Sequence, residues 1–270
     1  MAPGAAAASA LKALTRLVLE RPWWLLALLV AAAATVSTSL QRLNLLAYDL
    51  LAPRMELPAR SVLVAVDEAS IMALGQWPWP REVHARMVDR LAAAGAAGVA
   101  FAVLFSEPQT HSPEPEAGDK ALAAALGAYG KGVLAVAPVS RLAAGGVTEL
   151  GPLPILRRVA HLGHVDLEID ADGVVRRLFL RGGARAELPA LAVALVEEAQ
   201  PVLTQRPLPG LRAQQLSIAK PGVWQRDNEV LLPHAATLPG SAWSFAEALT
   251  SPEFAEAVRG RAVLIGVTAR

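Results

Sequence analysis

Apolar and polar positions fall into three regimes along the chain. From Pro22 to Gln41 no residue is charged, and Arg21 and Arg42 bound the stretch. A helix of about 20 residues rising about 1.5 Å each covers roughly 30 Å, the hydrocarbon thickness of a bilayer. Trp23 and Trp24 open it, where indoles favour the headgroup layer. Lys12, Arg16 and Arg21 outweigh Glu20 on the preceding side. The pattern predicts a cytoplasmic segment at 1–21, a single transmembrane helix at 22–41, and residues 43–270 exported. A cleaved signal peptide is the alternative, since the Ala/Ser/Thr stretch 31–39 resembles a cleavage region. The length of the apolar run and the lack of a clear A-x-A site favour the anchor.

The second regime alternates strand-like and helix-like runs. Ser61–Val66 is a short β-branched run ending at Asp67, which predicts a buried strand. Pro80 opens a helix in which Val83, Met87 and Leu91 recur at helical spacing, and Gly95 ends it. Val99–Phe105 reads as a second buried strand. After the polar loop Gln109–Gly118 come a helix over Lys120–Tyr129 and a third strand over Gly132–Val139. This order predicts an α/β fold with a mainly parallel βαβαβ core sheet.

The third regime breaks that rhythm. His164–Asp170 and Val174–Arg181 flank Asp172–Gly173, a strong hairpin signal. A two-residue turn there predicts an antiparallel hairpin insertion. It pairs Leu167 with Leu178 and Ile169 with Arg176 on the apolar face, and Glu168 with Arg177 on the wet face. Glu187–Glu198 reads as a helix, 200–239 as irregular, and Phe245–Val258 as helical with a break near Pro252. Ala262–Val267 reads as a buried strand of a kind found at the centre of a sheet.

Composition narrows the function classes. Among 270 residues 54% are hydrophobic and 18% charged, which excludes disorder. The net charge of +1 leaves no basic field for nucleic acid. The absence of cysteine excludes a disulfide scaffold and thiolate chemistry. No P-loop, G-x-G-x-x-G, G-x-S-x-G or H-E-x-x-H occurs, so no cofactor is expected.

Three groups of residues carry candidate chemistry. Ligands in open α/β sheets bind beyond the carboxyl ends of the strands. That edge should carry Asp67, Glu68 and Ser70 after the first strand, and Ser106 and Glu107 after the second. Trp77, Trp79, Arg81 and His84 lie in the intervening loop and first helical turns. Together they are candidate ligand-binding residues; alternatively Asp67 pairs with Arg81 and the indoles only cover the sheet end. Arg176, placed on the apolar face of the hairpin, needs either a ligand anion or an edge position from which to reach water. His161 and His164 have H-x-x-H spacing but no firm third ligand. The EF-hand-like start at Glu168 fails because Phe179 stands where an acid is required, so no metal is expected.

These segments resemble a family. Tyr48–Asp49 follows the anchor; then come VLVAVDEAS, LGQWPWPREVHARMVDRL and GAAGVAFAVLFSEP, and later GHVDLEIDADGVVRRLFL, LPALAVALV and RGRAVLIGVTA. The chain is similar over about Tyr48–Arg270 to CHASE-type extracellular sensory domains of the second class. The resemblance implies a signal-input domain outside a bacterial inner membrane, passing a change to a cytoplasmic histidine kinase, nucleotide cyclase or serine/threonine kinase. It implies no catalytic residue in this chain and an output domain beyond residue 270, but identifies no ligand; the residues at the sheet edge near Arg81 and His84 themselves point to an unknown small polar or anionic signal, and a homodimer is among the expected partners. One position departs from the pattern: Ala102 stands where the family carries Asp in the second strand. A membrane-anchored periplasmic enzyme using Asp67 and His84, or a structural dimerisation module, are the competing readings.

Overall fold

The computed structural model describes residues 23–52, 54–55, 60–109, 115–140, 146–200, 207–213, 222–235 and 242–269. The chain divides into two units, Met1–Arg54 and Met55–Arg270. In the first, α1 (Trp23–Leu51) is a helix of 29 residues that takes in nearly all of the predicted span and continues past it. The predicted cytoplasmic segment 1–21 lies outside the described residues. Among the described residues no helix is long and apolar enough to cross a membrane. A membrane-crossing role for α1 therefore rests on the sequence alone.

The second unit is built on a parallel sheet. Its strands are β1 (Ser61–Val66), β2 (Gly98–Phe101), β3 (Gly132–Ser140), β5 (His161–His164), β9 (Ala242–Ser244) and β10 (Ala262–Val267). The order across the sheet is β9-β1-β10-β2-β3, all parallel. β5 runs parallel to the first half of β3, and β4 (Val147–Leu150) runs antiparallel to its second half. The strand at 262–267 is central, as its apolar run predicts, seated between β1 and β2.

One face of the sheet carries α3 (Arg81–Ala94), α4 (Pro115–Tyr129), α7 (Phe245–Thr250) and α8 (Glu253–Val258). Alternate strand residues Val62, Val64, Phe101, Leu134 and Ile265 pack there against Met87, Leu91, Leu126 and Phe254. Full burial of each such side chain is worth about 2–3 kcal/mol. On the other face α6 (Leu191–Ala199) lays Leu191, Ala194 and Leu195 on Ala100, Val133 and Ala135. Its first turn comes so near β5 that a Cβ on Gly163 would sit 2.6 Å from the Leu191 Cα. Only glycine fits there.

A second, antiparallel sheet places β6 (Arg177–Gly183) between β7 (Leu188–Pro189) and β8 (Gln225–Leu231). This corrects the predicted hairpin. A turn does form at the Asp172–Gly173 signal, and Glu168 does face Arg177. The turn holds three residues, however: Asp170 and Val174 face each other, and Gly173, at φ 84°, donates its N–H to the Asp170 carbonyl. Most of the ladder that β6 needs comes from β8, inside the stretch expected to be irregular.

The predicted faces are also inverted on the first arm. Leu167 is 53% and Ile169 65% exposed, whereas Asp166 is buried. The buried face is a charged lattice. Asp166 accepts from Arg226 at 2.6 and 2.8 Å and from the Trp224 indole at 2.8 Å. Ionic pairing makes polar residues suitable for burial, and an apolar periodicity does not reveal it.

Candidate functional site

The sequence Trp77-Pro78-Trp79-Pro80 cannot extend a helix, because proline supplies no N–H. It folds as a turn over the ends of the strands, with a cis peptide bond between Trp77 and Pro78. The Trp79 indole N–H donates to the Gly75 carbonyl at 2.8 Å. Pro80 caps α3, and Arg81 is its first residue. First-turn N–H groups have no acceptor within their helix. The Arg81 N–H finds one in the Gln109 side-chain oxygen Oε1, at 2.6 Å.

That bond determines the orientation of the Gln109 amide, since a backbone N–H can only donate. Its Nε2 is then a donor, and it has no hydrogen-bond partner although Gln109 is only 8% exposed. A buried donor left unmet costs about 1–3 kcal/mol. Gly118 leaves room for this arrangement: a Cβ there would lie 2.5 Å from Gln109 Oε1 and 2.8 Å from Glu82 Oε2.

Arg81 is held from three sides. Its Nη2 donates to the Glu107 carbonyl at 3.2 Å, its Nε lies 3.4 Å from Asp119 Oδ1, and its guanidinium stands 4.6 Å over the Phe105 ring. Burial draws its pKa down, and Asp119 opposes that pull.

Arg81, Glu107 and Gln109 line a cleft of about 540 Å³ together with Trp77, Trp79, Ala102, Leu104, Ser106 and Val267. Ala102 follows β2 and Val267 ends β10, so the cleft opens over the carboxyl ends of two adjacent parallel strands. Ala102, the position at which the resemblance expects Asp, is part of its wall.

The structure brings Trp77, Trp79, Arg81, Ser106 and Glu107 together here and places Asp67, Glu68, Ser70, His84 and Arg176 outside the lining. Asp67 caps α2 (Glu68–Leu74), accepting from the Ser70 N–H at 2.8 Å and the Ser70 hydroxyl at 2.6 Å. It pairs with Ser70 and Ser244, not with Arg81. Glu68 is exposed on the first turn of α2. His84 is fully buried under the cleft floor in a ring of aromatics: Trp77, Trp79, Phe101, Phe105 and Phe245, with centroids 5.3–6.2 Å away. Neither of its nitrogens has a hydrogen-bond partner. Burial, with Arg81 nearby, pushes its pKa down to about 3. Asp67 and His84 share no hydrogen bond, and the Asp67 pKa is lowered, so the pair lacks the poise of an acid–base couple.

Arg176 is buried, 4% exposed, and finds partners in its own turn: Asp170 at 3.0 Å and Asp172 at 2.7 Å. Among the described residues no group of three or more His, Cys, Asp or Glu can hold a metal ion.

Sequence reasoning missed Gln109 and Asp119, which lie in and after a loop with no distinctive motif. It also missed a larger cavity of about 910 Å³ between α6 and the antiparallel sheet, lined by Leu178, Leu180, Val193, Val196 and Leu208.

The cleft lies over the carboxyl ends of an open parallel sheet, the place at which α/β sheets in general bind ligands. The family model of the CHASE2 domain matches residues 25–270. The chain belongs to the CHASE2 family, whose members are extracellular sensory domains. No curated protein and no solved structure matches it significantly.

Proposed function

We propose that this chain is the signal-input part of a bacterial transmembrane receptor, and that the cleft over β2 and β10 is where its signal binds. α1 anchors it in the inner membrane, and the residues after 42 lie in the periplasm or outside. The observation that carries the reading is the position of the cleft over the carboxyl ends of β2 and β10, where ligands of open α/β sheets bind, with Arg81 and Glu107 in its wall.

The signal must prefer one arrangement of the domain over another in order to be transmitted. The turn that carries Trp77 leads through Pro80 into α3, so a ligand touching the half-buried Trp77 indole acts on α3. The shift passes through the anchor helix to a cytoplasmic kinase or cyclase, either joined to this chain or supplied by a partner, with a homodimer as the signalling unit. Catalysis belongs to that output domain.

The test is a thermal-shift screen of small polar metabolites on wild-type protein and on Arg81→Ala. A compound that raises the Tm of the wild type and not of a folded Arg81→Ala supports the cleft. Equal shifts in both proteins place binding elsewhere and overturn the assignment.

A further inference from the structure

We infer that the larger cavity, between α6 and the antiparallel sheet, is a second ligand site, and that it takes an uncharged, largely aliphatic small molecule. Among the described residues none lines both this cavity and the cleft over β2 and β10, so the inference stands whether or not the cleft binds the signal. Its volume of about 910 Å³ lies within the usual range for small-molecule pockets.

The walls are held in place before any ligand arrives. Leu178 and Leu180 come from β6, Ala186 from the turn into β7, Val193 and Val196 from α6, and Leu208 from the segment 207–213. β8 bonds that segment along its length. Leu211 and Glu229 exchange backbone hydrogen bonds at 2.8 and 2.9 Å. Asn228 Nδ2 donates to the Leu208 and Pro209 carbonyls at 3.2 and 3.0 Å, and the Ala213 N–H donates to Asp227 Oδ1 at 2.7 Å. A wall already bonded in place needs little ordering on binding.

The lining selects the chemistry. Among the described residues every charged group in the wall is in an ion pair: Arg181 with Glu197 at 3.8 Å, Glu187 with Arg185 at 3.8 Å, and Arg212 with Asp227 at 2.7 Å. A charged ligand would find no counter-charge, and a lone charge among aliphatic groups is costly to bury. Among the described residues no aromatic ring lines the cavity, so it offers a cation no π face. Leu178, Val193 and Leu208 are half-buried, and Val196 is 42% exposed. Covering that surface is the favourable step an uncharged aliphatic molecule supplies. The site also bears on the core: α6 lays Leu191, Ala194 and Leu195 on the parallel sheet. A molecule seated against Val193 and Val196 ties the antiparallel sheet to the helix that covers the parallel one.

The experiment is a methyl NMR titration of the full chain in detergent with hexanol, hexanoate and hexylammonium, which share one chain length and differ in head charge. Hexanol should shift the methyl signals of Leu178, Leu180, Val193, Val196 and Leu208 saturably and leave those of Val62, Val64 and Ile265 in place. It should bind about tenfold or more tightly than either charged probe. Val196→Trp fills the cavity from a partly exposed position and should weaken hexanol about fivefold or more, with unchanged Val133 and Leu195 signals showing that the fold is kept. Ala192→Trp, at an exposed position in the same wall, makes the same test if Val196→Trp does not fold. Charged probes that bind as well as hexanol overturn the uncharged class. Shifts that survive the cavity-filling variant, or no saturable shift at these methyls, overturn the site.

Discussion

Ser244 donates its hydroxyl to Asp67 Oδ1 at 2.9 Å across 177 positions of sequence, joining the end of β9 to the cap of α2. The same carboxylate receives the Ser70 N–H and hydroxyl. Burial alone would raise its pKa, but the Ser70 and Ser244 bonds outweigh burial and bring it below the ordinary 3.8. A lowered carboxylate contributes stability above its unfolded pKa and loses it as pH falls through the folded one. Asp67→Ala should cost about 1–2 kcal/mol in urea unfolding at neutral pH, and the difference from wild type should shrink in acid below pH 3.8. A pH-independent difference would show that the carboxylate acts only by filling space.

His84 gives the opposite lever. Its folded pKa of about 3 lies below the ordinary 6.5, so the unfolded chain binds its proton first as pH falls. Stability then declines from about pH 6.5 downward, by on the order of 4 kcal/mol on approaching pH 3. His84→Phe keeps the ring among aromatics and removes two unpartnered nitrogens. It should raise stability by about 1 kcal/mol at pH 7 and flatten the acid slope. Urea melts of both proteins at several pH values measure it, and an unchanged slope would assign the acid sensitivity to other groups.

Gly163→Ala should be among the most disruptive single-methyl additions. The new Cβ would meet the Leu191 backbone at 2.6–3.0 Å, and a strand and a helix end cannot shift as a flexible side chain can. A loss of about 3 kcal/mol is expected, read as a lowered urea midpoint with an unchanged m-value. Val133 and Leu195, which meet where α6 crosses the sheet, should lose amide-exchange protection in parallel.

Asp166→Ala removes the acceptor of both Arg226 and the Trp224 indole. Arg226 is about one-third exposed, so water screens part of the loss. About 2 kcal/mol is expected, with a shift in tryptophan emission because the Trp224 N–H loses its partner. Emission identical to wild type would show that the indole is held by packing alone.

What the sequence discloses depends on whether a segment is buried through apolar or through polar groups. SVLVAV and AVLIGV bury β-branched side chains on one face and small or aliphatic ones on the other, and both strands are where such runs predict them. The cleft was legible because a Trp-Pro-Trp-Pro-Arg turn between strand and helix lies over the strand ends. β8, with sequence QRDNEVL, was illegible: Gln225, Asp227 and Asn228 are buried through hydrogen bonds to groups distant in sequence. The inverted face of Leu167 and Ile169 has the same origin, since Asp166 and Asp170 face inward to arginines. Gln109 has no local signature at all. Its role comes from Arg81, 28 positions earlier, whose N–H orients it.

The placement of β10 between β1 and β2 has a kinetic consequence. Thr268, just past β10, bonds to Val66 at the end of β1 across 202 positions. Until residues 262–267 are made, the inner edges of β1 and β2 have no partner, and each is a bare ladder of N–H and C=O groups. Such pairing across distant positions is slow to form. As the chain emerges it therefore stays open at its centre, prone to pairing with neighbouring chains, until this strand arrives and closes the sheet from within.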